Sequence, residues 1–442
     1  MSSAVANKDG TLVRHAAGTL ALRSTMVGLE FICGIVLAQT FKVSGYGVYA
    51  FVISWVGLLA IPAAAGLDRL LIREVAHFRA QREWALLSGL LRWSFRLALG
   101  ISVTIMGVGA LVLYIAPLGL EAPTRQSLAI GLATVPLVAV ARLRFGALQG
   151  FGRVLQGLIP ETVIQPTAIL MMVGSLYVLP FVPRSGVVAV AIHAVGVLLA
   201  FAAGAILLRR SLPAAPEAPT AAYRSRQWLN AALPMAWVLG MNVVLTHTDV
   251  VMLGVIDTTE AAGTYRVAAQ LAALVALPLG AVNAALAPRI ASAYAGGQMH
   301  ELQSEVTRAA RLALLFASPI VVGLAFFGNH ILALFGPEFE SARTSLNILA
   351  AAQALNAATG TAGYVLVMTR FERHAAALFG LSALMNVVMN LHLIPRFGPI
   401  GAAIASCIAL LILNIGLAWG ASRWVGIRTT PLGSSRQIDG TA

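Results

Sequence analysis

Residues 97–117 read LALGISVTIMGVGALVLYIAP, a run in which no side chain is charged. As a helix that rises about 1.5 Å per residue, this run would span about 30 Å, the thickness of the hydrocarbon core of a bilayer. Comparable runs recur along the chain of 442 residues, of which 59% are hydrophobic and only 11% are charged. The sequence therefore predicts an all-α integral membrane protein and excludes a soluble domain with an apolar core.

Twelve runs of this kind divide evenly between the two halves of the chain. They cover residues 17–41, 44–66, 97–117, 127–149, 156–180 and 186–208, and then 229–255, 262–284, 312–335, 344–368, 375–394 and 398–422. We expect about twelve transmembrane helices in two six-helix bundles, because the connections are too short to fold alone. The N-lobe is placed at 17–208, a cytoplasmic linker at 209–228 and the C-lobe at 229–422. Residues 1–16 are predicted as a cytoplasmic N-terminal segment, and residues 423–442 as a disordered cytoplasmic tail.

The net charge of +13 comes from basic residues that lie between the apolar runs. If the N-terminus is cytoplasmic, most of the 30 Lys and Arg residues fall on the inner side, and the outer loops keep only Lys42, Arg125, Arg184, Arg343 and Arg396. This asymmetry follows the positive-inside rule and predicts that both termini are inside. A protein that binds nucleic acid would gather basic and aromatic residues on one soluble face, so nucleic acid is not an expected partner.

The two halves share a spacing pattern at an offset of about 216 residues. The matched positions are Gly47 and Gly263, Tyr49 and Tyr265, Pro62 and Pro278, and Arg73 and Arg289. Six plus six helices of the same orientation are parallel repeats, related by a pseudo-two-fold axis along the membrane normal. Because alternating-access transporters use this arrangement, we expect substrate to bind between the halves. Each half also has an inner connector, at 68–84 and 289–308, that is either an amphipathic surface helix or an ordinary polar loop.

Charged residues inside the apolar runs are the first site candidates, because a charge at the bilayer centre costs about 2.5–3.5 kcal/mol on insertion scales. In helix one, Arg23 and Glu30 are seven residues apart and therefore lie on nearly one stripe. Arg23 is a candidate to attract an anionic headgroup, and Glu30 is a candidate to line a cavity or take up a proton. The alternative is that neighbouring helices satisfy both side chains.

Helices five, seven and eight carry the candidates for ion coupling or gating. Asp249 in helix seven lies at a depth similar to that of Arg266 in helix eight, so the two either form a static ion pair or take part in gating. Glu161 and Gln165 share one face of helix five, and Pro166 is expected to kink this helix because proline lacks the N–H of a regular turn. A bent helix beside a carboxylate suits a moving part.

A basic cluster near the inner ends of helices three and four is the candidate for phosphate binding. Its members are Arg92, Arg96, Arg142, Arg144 and Arg153. Arg binds phosphate oxygens through two parallel hydrogen bonds, so this cluster would suit a phosphate-bearing lipid headgroup. The alternative is the ordinary basic character of inner helix ends.

Pairs of amide side chains lie one helical turn apart in helices ten and eleven. They are Gln353 with Asn356 and Asn386 with Asn390. Such amides would bind the hydroxyls of a saccharide, or they would join neighbouring helices.

Enzyme signatures are missing from the sequence, which has no P-loop, no His-Glu-x-x-His pair and no Gly-x-Ser-x-Gly elbow. Cys33 and Cys407 both fall inside apolar runs, so a disulfide is not expected. We therefore expect a protein that is not an enzyme and that uses no metal and no cofactor.

Several short stretches together resemble one transporter family. They are GYGVY at 45–49, GLDRLLIREVA at 66–76, TDVVMLG at 248–254 and GTY at 263–265. This pattern resembles the polysaccharide-unit (Wzx-like) flippases of the multidrug/oligosaccharidyl-lipid/polysaccharide (MOP) exporter superfamily. The matched positions look architectural, so the resemblance assigns no family functional residue to this chain.

The resemblance implies a flippase of the bacterial inner membrane that moves an undecaprenyl-diphosphate-linked oligosaccharide between leaflets by alternating access through a cationic cavity. A coupling ion, H⁺ or Na⁺, and a polysaccharide polymerase complex are the further partners that it implies. Glu30, Glu161 and Asp249 are the carboxylates available for coupling. A drug/cation antiporter of the same superfamily is one alternative and would need an acidic cavity. A membrane-embedded glycan polymerase or glycosyltransferase is the other and would form new glycosidic bonds.

The proposed role of Arg23 leads to a first prediction. Arg23→Ala is expected to abolish polysaccharide export, because it removes the cation that attracts the lipid headgroup, while the protein stays inserted and abundant. Export at the cell surface and the amount of protein in the membrane are the two measurements. Full export by this variant would remove Arg23 from the site.

Overall fold

Helices make up nearly every element of the computed structural model, which describes residues 2–115, 120–179, 181–211 and 220–432. The description leaves out the side chains of residues 2–26, Ser211, Ala284, Ala285 and Pro288. The chain divides into two compact units, Met1–Gly240 and Met241–Ala442. This boundary falls inside the helix Ser225–Ile256. The first turns of that helix belong to the first unit, because Trp228 and Ala232 pack into one of its core clusters. The lobe limits derived from the apolar runs stay a prediction.

The first unit contains seven helices and the start of an eighth within its described residues. They are α1 Ser2–Ala64, α2 Leu67–Gln81, α3 Trp84–Ile115, α4 Ala122–Gly150, α5 Val154–Ile159, α6 Gln165–Ser175, α7 Gly186–Ser211 and α8 Ser225–Ile256. The second unit continues with α9 Thr259–Ala273, α10 Leu277–Ala295, α11 Met299–Ala333, α12 Arg343–Thr359, α13 Ala362–Met368 and α14 Glu372–Gly420. π-helical turns lie at Pro160–Ile164 and Ala421–Val425, and 3₁₀ turns at Leu274–Ala276 and Pro337–Ala342.

Twelve membrane crossings can be assigned within the described ranges. Nine helical stretches there are long and apolar enough to span a membrane. Two of them contain one non-helical residue, Lys42 (φ 57°) in α1 and Gly398 (φ 52°) in α14, so each provides two crossings. The consecutive helices α12 and α13 cover most of the predicted tenth run and provide the last crossing. The predicted all-α membrane fold with about twelve helices is therefore confirmed, while the cytoplasmic location of the termini stays a prediction.

The break in α14 has a local cause in the sequence. Gly398 adopts a positive φ that favours glycine, and Pro399 follows it without an N–H for the helical ladder. A helix therefore ends and another begins at this point. The sequence predicted the junction correctly between residues 394 and 398, because Gly and Pro interrupt an otherwise apolar run.

The fifth crossing is irregular one turn before the predicted proline kink. The segment between α5 and α6 is a π turn, in which the N–H of Gln165 donates to the carbonyl of Pro160. Pro160 and Pro166 both lack the N–H that a regular helix uses, so the ladder around them is interrupted twice. This places Glu161 inside the irregular turn.

The first inner connector is an amphipathic helix, as one of the two alternatives predicted. In α2, Leu67, Leu71, Val75 and Phe78 are buried at helical spacing, while Arg69 and other polar residues are exposed. The second connector differs from this pattern. The helix α10 runs to Ala295 and α11 begins at Met299, so a tight turn with Gly297 at φ 70° separates two long helices. An ion pair of 3.3 Å between Arg289 and Glu305 joins these two helices.

The outer faces of several helices are apolar. On α3, Leu99, Val103, Leu111 and Ile115 are all exposed. Water would disfavour such a contiguous stripe, whereas hydrocarbon accepts it without cost. The stripe therefore marks the side of α3 that faces acyl chains.

Residues 426–432 overlap the predicted disordered tail but pack against the second unit. Ile427 and Thr429 are buried, and Ile427 is 0% exposed. The side chain of Gln303 on α11 donates to the carbonyl of Arg428 (2.7 Å) and accepts from its N–H (2.8 Å). Arg311 on the same helix donates to the carbonyl of Pro431 (2.9 Å). We call this segment the C-terminal strap.

The strap yields a second prediction. Gln303→Ala is expected to lower the free energy of unfolding by about 1–3 kcal/mol, because it leaves the backbone N–H and carbonyl of Arg428 without their partner. Ser304→Ala, at an exposed neighbouring position on α11, is the matched control and is expected to change stability little. Thermal unfolding in detergent measures both variants. Equal melting temperatures would show that the strap does not stabilise this unit.

Candidate functional site

The carboxylate of Asp249 lies at the centre of a buried polar cluster in the second unit. Its Oδ1 accepts from the amides of Asn386 (2.9 Å) and Asn390 (2.7 Å). Its Oδ2 accepts from the hydroxyls of Tyr265 and Ser406. Asp249 is only 3% exposed. These five residues are called the Asp249 cluster below.

Three helices bring this cluster together. Asp249 lies on α8 and Tyr265 on α9. Asn386 and Asn390 are one turn apart in the part of α14 before the break at Gly398, and Ser406 lies in the part after it. The break therefore lets two crossings of one helix present hydrogen-bond donors to the same carboxylate.

The cluster can hold a negative charge without a neighbouring cation. Four neutral donors satisfy the two oxygens of Asp249, two at each oxygen. A proton or a small cation that reached Asp249 would neutralise it and weaken the ties between the helices. Among the described residues, including those around Asp249, no group of three or more His, Cys, Asp or Glu side chains could hold a metal ion.

The partners of Asp249 differ from those that the sequence suggested. The ion pair considered with Arg266 is not formed, and Arg266 is only partly buried on α9. Similar depth in the sequence-derived helices therefore did not bring the two side chains together. Asn386 and Asn390 bind the carboxylate, which corresponds to the predicted alternative of amides that join helices.

Arg144 and Glu161 form an ion pair in the first unit. Nη2 of Arg144 donates to Oε1 of Glu161 in the π turn, and Nη1 lies 3.4 Å from the carbonyl oxygens of Ala200 and Phe201 on α7. The side chain of Arg144 is 3% exposed and that of Glu161 is 37% exposed. This arrangement ties α4 and α7 to the irregular turn of the fifth crossing.

A glycine makes room for this guanidinium. A Cβ atom built on Gly204 of α7 would overlap the guanidinium of Arg144. Since Gly204 is four residues after Ala200, its missing side chain also leaves the carbonyl of Ala200 open to a second donor. The sequence shows both residues but gives no sign that they meet.

The other predicted site residues lie apart from these two groups or pair among themselves. Arg92 and Arg96 are exposed one turn apart on α3, and Arg142 is partly buried on α4. Asn356 donates to Gln353 on α12 (3.1 Å). Glu30 is exposed on α1, and the side chain of Arg23 lies outside the described side chains. Their roles at a site stay predictions.

A second polar group in the first unit was not predicted as a site. The hydroxyl of Tyr49 on α1 lies 3.2 Å from Nδ1 of His193 on α7, and the amide nitrogen of Gln165 on α6 lies 3.5 Å from Nε2 of the same ring. The sequence carried two weak signals for it, a histidine inside an apolar run and the match between Tyr49 and Tyr265 across the repeat.

Comparison with known proteins places the chain in a family. Residues 13–294 match the family described as polysaccharide biosynthesis protein, and residues 234–392 match MatE. Probable flippase AglR of Haloferax volcanii is 28% identical over 170 residues, which is 38% of this chain and 36% of that protein. The alignment thus spans little more than a third of that relative's length.

Solved structures share the fold over nearly the whole chain. An inward-facing multidrug resistance MATE family transporter of the MOP superfamily aligns with a TM-score of 0.75 at 17% identity, over 91% of this chain and 94% of that one. The lipid II flippase MurJ in an inward closed conformation aligns with a TM-score of 0.68 at 14% identity, over 91% and 87%. These likenesses establish the fold alone. Because the family match covers more than half of the sequence, the chain belongs to the polysaccharide biosynthesis protein family.

Proposed function

We propose that the protein is a flippase that moves a polyprenyl-diphosphate-linked oligosaccharide across the cytoplasmic membrane of a bacterium for the synthesis of a surface polysaccharide. A relative named as a probable flippase and the family match over residues 13–294 support this proposal. The driving force is a cation, H⁺ or Na⁺, that binds in the second unit. A polysaccharide polymerase is the expected functional partner.

The Asp249 cluster is the main structural support for the proposed transport mechanism. A carboxylate inside a membrane protein that serves only stability is usually paired with a cation, whereas Asp249 is held by neutral groups from three helices. Binding of a coupling cation therefore changes the charge of the cluster without breaking an ion pair. The helices that hold Asp249 therefore take different positions when the cation is bound and when it is absent. Alternating access requires such a difference.

The protein must bind the diphosphate of the substrate, because this group cannot cross hydrocarbon unaided. Arg92 and Arg96 are exposed and one turn apart, a geometry that suits recognition of one diphosphate by two guanidinium groups. We assign Arg142 to the same role, and Gln353 with Asn356 to the saccharide. Arg144 is engaged by Glu161, so we assign this pair to gating at the π turn.

Drug/cation antiport is the second candidate, because residues 234–392 match MatE and a MATE transporter shares the fold. Proteoliposomes that contain a polyprenyl-diphosphate oligosaccharide in both leaflets separate the candidates. A flippase makes the inner-leaflet saccharide accessible to an external lectin at a rate above that of empty liposomes. Ethidium accumulation without lectin accessibility would identify an antiporter. New glycosidic bonds would identify a glycosyltransferase.

The cluster yields a third prediction. Asp249→Asn is expected to slow lipid translocation and to remove its dependence on the cation gradient, because the side chain keeps its size and loses its charge. Asp257→Asn, in the exposed turn after α8, is the matched control and should translocate normally. The lectin assay is run with and without a pH or sodium gradient. A gradient-dependent rate that Asp249→Asn leaves intact would remove Asp249 from coupling.

The ion pair yields a fourth prediction. Arg144→Gln is expected to lower the free energy of unfolding by about 1–3 kcal/mol, because it leaves the Glu161 carboxylate without its counter-ion. The double variant Arg144→Gln with Glu161→Gln should recover part of the loss, since neither charge remains. Thermal unfolding of the two single variants and the double variant completes the cycle. Strictly additive losses would show that the two side chains do not depend on each other.

A further inference from the structure

We propose that the C-terminal strap is a latch on the membrane crossing formed by α12 and α13. With the strap docked, the break between these two helices keeps one shape. Release of the strap frees the crossing to change its angle at Gly360. Docking and release do not depend on the proposed flippase function, whereas their use in a transport cycle rests on it.

The crossing is interrupted at Gly360, which provides a hinge between its two helices. Gly360 has φ 70° and ψ −140°, a conformation that favours glycine. Its N–H donates to the carbonyl of Ala357 (3.3 Å) and ends α12, whereas the N–H of Val365 in α13 donates to Thr361 (3.0 Å). Each helix thus has its own hydrogen-bond ladder, so the angle between them is set by what packs on the break.

The strap and α11 both contact this hinge closely. A Cβ atom built on Gly360 would overlap the carbonyl oxygen of Thr429 in the strap and lie 2.9 Å from Cβ of Ala310 on α11. Gly360 and Thr429 are both buried. Rotation at Gly360 is therefore restricted as long as the strap and α11 stay in place.

Three residues of the strap hold it in this position. The side chain of Gln303 on α11 pairs with both backbone groups of Arg428, and Arg311 donates to the carbonyl of Pro431. Ile427 is 0% exposed and lies in a core cluster that also contains residues of α11, α13 and α14. These anchors lie on both sides of the residue that contacts the hinge, so they keep its carbonyl there. The strap therefore joins the ends of three helices.

The docked strap leaves two polar groups unsatisfied, which favours a contact that can open. The hydroxyls of Thr361, beside the hinge, and of Thr429 are buried and have no hydrogen-bond partner within the described ranges. A buried hydroxyl without a partner costs free energy that is recovered when water reaches it. Undocking therefore offsets part of the loss of the strap's own hydrogen bonds. A segment that serves only stability would be expected to satisfy both hydroxyls.

The hinge lies next to the amide pair of α12. Asn356, which donates to Gln353 (3.1 Å), is one helical turn before Gly360. A change of angle at Gly360 therefore moves α13 relative to the two amides that we assign to the saccharide. In the proposed flippase, the docked strap fixes α13 relative to these residues, and release of the strap lets α13 move during the cycle.

Hydrogen–deuterium exchange of the full-length protein in lipid nanodiscs tests the latch. Gln303→Ala removes the partner of Arg428, so we expect exchange to become about tenfold faster in the strap and also in residues 360–365 of the break. The break responds although the changed side chain lies on α11, because the strap no longer holds the hinge. Ser304→Ala, at the exposed neighbouring position, is the matched control and should change neither rate.

Gly360→Ala tests the same contact from the side of the hinge. The added methyl group overlaps the carbonyl of Thr429, so exchange in the strap is again expected to become about tenfold faster. Gly363→Ala, in the first turn of α13, is the matched control, because a Cβ there lies at an ordinary 3.5 Å from Leu417. This control should leave the exchange of the strap unchanged.

The outcomes separate the latch from the flippase function. Faster exchange of the strap in Gln303→Ala with an unchanged break overturns the latch, as does unchanged exchange in the strap. An equal rise in α9, the internal reference, also overturns it, because that pattern marks a general loss of stability. Faster exchange confined to the strap and the break supports the latch, even in a protein that fails the lectin assay and so overturns the flippase. If Gly360→Ala does not fold, the comparison of Gln303→Ala with Ser304→Ala decides alone.

Discussion

The hydrocarbon core offers no water to polar groups, and every other feature of this structure follows from that constraint. Three fully or partly buried charged side chains show this, because each finds its partners within its own unit. Arg144 binds Glu161 and helix carbonyls, Asp249 binds four neutral side chains, and Arg343 donates to the carbonyls of Leu324 and Ala325. The unit that holds a charge must therefore also supply the groups that stabilise it. These contacts constrain how the helices of that unit pack.

Arg144 and Arg343 bind the backbone of a helix in the same way, each on a different helix. Each guanidinium lies against the carbonyls of residues i and i+1 of a helix, and residue i+4 is glycine. In the first unit these positions are Ala200, Phe201 and Gly204, and in the second they are Leu324, Ala325 and Gly328. The missing Cβ opens the carbonyl to a second donor, so the helix backbone serves as an acceptor for the guanidinium.

The membrane crossings could be predicted almost completely from the sequence, because their causes are local. The length of an apolar run, a glycine such as Gly398 and a proline such as Pro399 act within a few residues. The partners of a charged residue were much harder to predict. Asp249 and Glu161 stand out as charges in apolar runs, but a helix that is apolar all round does not show which face meets which neighbour. The sequence therefore suggested Arg266 for Asp249 and did not single out Ser406 or His193.

Asp249 suits the proposed coupling to a cation better than Glu161 does, because the two carboxylates have different partners. Neutralising Glu161 would leave the guanidinium of Arg144, which is almost fully buried, without its counter-ion, and that state is costly. Neutralising Asp249 leaves only neutral neighbours, each of which can turn to another partner. A site that must alternate between a charged and a neutral form during each cycle is therefore best built from neutral donors. The repeat kept a tyrosine at the matched position of both halves, while the polar side chains beside Tyr49 and Tyr265 differ.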